Sequence, residues 1–152
     1  MMIKDQPYWL QKLATLRIDR ARGNPAPHKP LLLLVILEMV EKGEITSREL
    51  FLSPDLAFRF SVFWSVVARR RKQPPDVRLP FHHLESSGIW QPLTADGQPS
   101  PDKKMTAMVR FDEQFFECLA DCKFRDRAQR ILIENEPYFQ PEERVALYSM
   151  LQ

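Results

Sequence analysis

The side chains best suited to chemistry in this chain are three histidines. His28 stands between a proline-marked loop and a run of leucines, and His82 and His83 form an adjacent pair. An imidazole can serve as a general acid or base near neutral pH, or as a metal ligand. On an extended segment, successive side chains point to opposite faces. His82 and His83 would then be unable to offer two ligands from one side, and one of them should face solvent or nucleic acid. Cys118 and Cys122, four residues apart on a predicted helix, would share a face. They read as small buried side chains more readily than as a redox pair or half a zinc site. A structural zinc takes four ligands, and no cluster supplies them. Only four glycines occur, widely spread, so there is no glycine-rich phosphate loop. There is no G-x-S-x-G elbow. An HNH nuclease would need more histidines and a metal-binding ββα unit. The chain therefore reads as a binding domain, not a self-sufficient enzyme, with no cofactor and no metal. A small hydrolase built on His82 or His83 is the catalytic rival.

Charge narrows the binding partner only in part. Net charge is +2, but the basic residues fall in groups. One contains Arg17, Arg20, Arg22, His28 and Lys29; a second, Arg69 to Lys72 with Arg78; a third, Lys103, Lys104 and Arg110; a fourth, Lys123, Arg125, Arg127 and Arg130. Acids gather elsewhere, at Glu38, Glu41, Glu44 and Glu49 and again at Glu134, Glu136, Glu142 and Glu143. Such segregation can give one basic and one acidic face, or merely a salt-laced surface. On charge alone both readings stay open.

The elements that must carry these residues follow from periodicity. At 152 residues, the chain is expected to form one domain spanning 1–152, long enough to bury a core without disulfides. A hydrophobic fraction of 44% and a charged fraction of 28% suit a globular protein. Tyr8, Leu10, Leu13 and Leu16 recur at helical spacing. Pro25 and Pro27 break that helix, and Pro30 begins a second, apolar almost all round, that ends near Gly43. Ser47 to Leu50 looks like a short helix start. A helix from Asp55 presents an aromatic face and runs into Arg69–Lys72. Val77–Leu84, Ile89–Leu93 and Met105–Phe111 are expected to be three antiparallel strands. Asp112 caps a further helix, another covers Arg125–Glu134, and Pro141 opens the last. The predicted class is α+β: a mostly helical single domain with a small three-stranded antiparallel sheet. The 13 prolines sit mainly in connections and stiffen them. The start lacks an apolar signal-peptide region and the longest apolar run is too short to span a membrane, so a cytoplasmic home is expected.

Two stretches are informative together: Arg22-Gly-Asn-Pro-Ala-Pro-His-Lys-Pro-Leu-Leu-Leu-Leu34, and Leu79-Pro-Phe-His-His-Leu-Glu-Ser-Ser-Gly-Ile-Trp90. Over essentially the whole chain, the order and spacing resemble the sulfur-binding domains of phosphorothioate-dependent, McrA-type restriction endonucleases. In that family a basic, proline-marked loop ends in His–Lys/Arg–Pro before a Leu-rich helix. An X-Pro-Phe segment then leads into a Gly–hydrophobic–Trp strand. The resemblance implies a domain that recognises phosphorothioated double-stranded DNA, commonly joined to an HNH nuclease domain. It places Pro80 against the sulfur, with Leu79 and His83 completing the cavity and His28 and Lys29 closing it. Family members often carry an aromatic residue where Leu79 stands and a small one near His83.

The chemistry of that recognition is a contrast between soft and hard atoms. Sulfur is larger and a poorer hydrogen-bond acceptor than the oxygen it replaces. An oxygen held in a donor-poor cavity is desolvated without a partner, at a cost of roughly 1–3 kcal/mol. Sulfur loses less and gains dispersion contacts. A proline ring is rigid, apolar and lacks an N–H. Arg20, Arg22, Lys29 and Arg71 are then candidates for binding phosphates, with Arg78 and Ser86 beside them. Lys103 and Lys104 are candidates for guanine edges, and Asn24 for adenine. The alternatives are a restriction-associated DNA-binding module reading another modification or sequence, and a protein-interaction domain.

Overall fold

The computed structural model describes residues 3–19, 24–135 and 138–151. Its centre is α2 (His28–Glu41), and the sequence explains why. Leu31 to Leu37 are all buried, so this helix has no solvent-facing side over two turns and must be surrounded. Around it pack α3 (Pro54–Trp64), α4 (Arg78–His83) and α6 (Cys122–Glu134). The first helix, α1 (Gln6–Ala14), lies on α6 and buries Trp9 and Leu13. It is shorter than its apolar spacing predicts: Leu16 is buried beyond its end, where its N–H donates to the Tyr138 hydroxyl. The remaining helices are α5 (Glu113–Leu119) and α7 (Pro141–Met150). The whole is a mostly helical α+β arrangement with one three-stranded antiparallel sheet.

Two of the sheet's strands fall within segments the sequence suggests, Ile89–Leu93 and Met105–Phe111, and the third does not. Its strands are β1 (Glu49–Phe51), β2 (Trp90–Leu93) and β3 (Met108–Phe111), in the order β1-β3-β2. Trp90 pairs with Phe111, and Glu49 with Arg110. The expected strand at Val77–Leu84 is instead α4, continued by a 3-10 turn over Leu84–Ser87. The expected short helix near Ser47 is the lead-in to β1. Burial accounts for the first correction. Val77, Pro80, Phe81 and Leu84 are the inward positions, a spacing of three, one and three that only a helix turns to one side. Pro80 is the third residue of α4, where a missing N–H costs no helical hydrogen bond. Cys118 and Cys122 also fall on two helices rather than one, the first buried in α5 and the second exposed at the start of α6.

Candidate nucleic-acid interface

Two helix beginnings meet to form the site. One is the first turn of α2, which carries His28, Lys29 and Pro30; the other is the first turn of α4, which carries Leu79 and Pro80. The second is anchored by the sheet: the Trp90 indole N–H donates to the Phe81 carbonyl at 3.0 Å, and the two rings pack 5.8 Å apart. The first is anchored by Arg70. Its guanidinium reaches Glu143 on α7 at 2.7 and 3.0 Å, the Asn24 side-chain oxygen at 2.6 Å, and the carbonyls of Pro25 and Tyr138. Asn24 returns a hydrogen bond to the Arg70 carbonyl at 3.0 Å. This nearly buried ion pair fastens the loop before His28 to the C-terminal helix.

Between the two helix starts lies a cavity of about 410 Å³. Pro80, Leu79, Ile18 and Ala26 give it apolar lining. His28, Lys29, His83 and Ser86 bound it, with Arg17 and Asp19 at the rim. Pro80 is buried by the surrounding fold yet still contributes to this lining. Lys29 bridges the motifs: its ammonium donates to the Arg17 carbonyl at 2.6 Å and to the Ser86 hydroxyl, 57 residues away, at 3.1 Å. Ser86 in turn donates to the His83 carbonyl. Burial, and then Arg17, hold the Lys29 pKa below the ordinary lysine value.

His28 is the most constrained polar group here. It is 9% exposed, its ring lies 4.8 Å from that of Trp64, and its buried Nδ1 has no hydrogen-bond partner. Burial, reinforced by the Arg71 charge, pushes its pKa down to about 4. It is therefore neutral at pH 7. Burial also lowers His83, helped by His82 and Lys29. His82 and His83 part company on α4 as expected, though on a helix rather than a strand. His82 is buried and hydrogen-bonded to Thr106, whereas His83 is exposed and lines the cavity.

A second cavity of about 470 Å³ shares His28 and Leu79 with the first and is otherwise walled by Gln73 to Asp76. Across its edge Lys103 makes a 2.8 Å ion pair with Asp76. The loop carrying Lys103 is tied down by a buried chain of hydroxyls. Thr106 meets His82 at 2.8 Å and donates to Ser100 at 2.7 Å, and Ser100 donates to the Asp102 carbonyl.

The structure thus gathers His28, Lys29, Leu79, Pro80, His83 and Ser86 around one space. Arg78, next to Leu79 in the chain, is exposed, and so is Lys104, which does not line this space. Arg71 is half-buried and donates to the Asn24 carbonyl, and Asn24 is occupied by Arg70, so neither side chain is simply extended into solvent. Arg20 and Arg22 lie outside the described residues. Sequence reasoning gave no role to Ile18, Ala26 or Asp76. Ile18 and Asp76 left signals, an apolar residue past a helix end and a lone acid among arginines and prolines. Ala26 left none. Among the described residues, no three His, Cys, Asp or Glu side chains gather as a metal site, and no helix is long and apolar enough to cross a membrane. No protein-family model and no curated protein sequence matches the chain.

Proposed function

We propose that this chain binds double-stranded DNA at a phosphorothioate linkage, seating the sulfur in the cavity between α2 and α4. One observation carries the reading: the two motifs that resemble the sulfur-binding family converge on a single space of about 410 Å³ with apolar lining, where Lys29 and Arg17 supply cations beside one acid, Asp19. Pro80 has no N–H to give, and His28 is neutral, so the inner surface is poor in charge-assisted donors. A phosphate oxygen placed there exchanges water for carbon. A sulfur placed there exchanges little hydration for polarizable contact. Lys29, bridging Arg17 and Ser86, sits where the remaining oxygen of the linkage keeps its charge partner. The chain's part in this reading is recognition, and cutting falls to a separate nuclease domain.

The test is equilibrium binding to three matched duplexes, one normal and two carrying a single phosphorothioate, one of each stereochemistry. Tighter binding of one thioated stereoisomer is expected. Equal affinity for all three duplexes sinks the proposal and leaves a sulfur-blind module. Affinity that does not fall with added salt points to a protein partner instead.

A further inference from the structure

The second cavity, like the first at Asp19, has a carboxylate in its lining. Asp76 puts a carboxylate within the arginine- and lysine-rich side of the molecule, and a carboxylate beside DNA phosphates is repelled. Its position is nevertheless secured. Asp76 Oδ2 accepts from Lys103 at 2.8 Å, and Oδ1 accepts from the Arg78 backbone N–H at 3.1 Å. Burial raises its pKa, but these contacts outweigh burial and bring it below the ordinary carboxylate value, so it stays ionised. A carboxylate has about four acceptor sites, and these contacts use two. The Asp76–Lys103 pair cancels the charge locally, which removes the repulsion while leaving the acceptor. Pro74 and Pro75 present apolar rings beside it, and Gln73 adds an amide.

In the major groove, the base-edge groups that such an acceptor favours are the exocyclic amines of cytosine and adenine. Guanine and thymine offer acceptors there instead, and a carboxylate rejects them. Because His28 and Leu79 wall both cavities, a DNA strand with its modified linkage in the first brings a neighbouring base edge to the second. We infer that Asp76 is a specificity-determining residue, accepting a hydrogen bond from a cytosine or adenine amine beside the modified linkage. This rests on the DNA reading proposed above.

The experiment uses thioated duplexes that differ only at the base pairs flanking the linkage, in all four pairs at each position. The wild-type chain is expected to prefer an amine-bearing base over guanine or thymine at one position by about tenfold. Asp76→Ala should level that preference while keeping the preference for thioated over normal DNA. Asp76→Asn keeps an acceptor toward the Arg78 N–H and guards against misfolding of the alanine variant; it should weaken the preference. No base preference in the wild type overturns the inference. So does a uniform gain in affinity for every duplex in Asp76→Ala with the base preference intact, because the carboxylate then only repels. If the wild type ignores sulfur, the sulfur reading fails by itself; the base preference measured on normal duplexes still decides the role of Asp76.

Discussion

At Pro80 the proposed discrimination comes down to the absence of one N–H. Pro80→Ala restores a backbone donor and removes a ring from the cavity wall. Binding of thioated DNA should weaken by roughly fivefold to a hundredfold, the equivalent of ~1–3 kcal/mol, with a much smaller change for normal DNA. An equal loss on both would make Pro80 a folding residue only. Lys29→Ala should weaken both duplexes and reduce the slope of log affinity against log salt by about 0.9. His28 gives a different signature. Its folded pKa of about 4 lies below the unfolded value of 6.5, so the unfolded chain binds the extra proton first. Its contribution to stability is complete above pH 6.5 and is lost as pH falls toward 4. The melting temperature should drop across that window, and the His28→Gln variant should drop less. His28 and Lys29 are site candidates in the sequence through the resemblance of the motif that carries them. Asp76 was not, because its meaning depends on Lys103, which only folding brings beside it.

The elements show why one helix was mistaken for a strand. In Val77–Leu84 the alternation of Leu79 and Phe81 suggests a period of two, but the buried set is Val77, Pro80, Phe81, His82 and Leu84, with Leu79 only half-buried. Pro80 falls inside that expected strand, yet it stands in a helical first turn. β1 escaped notice because three residues with only partial burial show no pattern. Gly88 makes the turn before β2. It follows the 3-10 segment at φ +78°, and no atom crowds the place of a Cβ, so the demand is conformational. Gly88→Ala should cost roughly 1–2 kcal/mol, read as a lower melting temperature. The Arg70 anchor is a stiffer test. Glu143→Ala leaves a nearly buried guanidinium without its carboxylate and should cost about 3–5 kcal/mol in urea unfolding.

Over the whole molecule, ion pairs redraw the charge map. Arg59 reaches Glu44, Arg110 reaches Glu49 and Arg125 reaches Glu41, so much of the acidic group is matched locally by basic residues. Sequence separates those charges and folding reunites them, which is why clusters along the chain overstated the basic surface. Arg125→Ala should leave DNA affinity and its salt slope unchanged, in contrast to Lys29→Ala. The α+β class and the meeting of the two motifs were legible because each rests on a long apolar helix or on paired signatures. The wall of the second cavity was not, since Gln73 to Asp76 form an irregular loop. The two halves of the site therefore differ in how freely they can change. His28 and Lys29 ride on α2, the helix most deeply enclosed, where almost any alteration disturbs packing throughout. Residues 73–76 and 99–106 hang from surface loops. On the proposed reading, diversification of target sequence would thus proceed by exchanging those loops, leaving the corner assigned to the backbone atom untouched, and a designer seeking new specificities should graft there first.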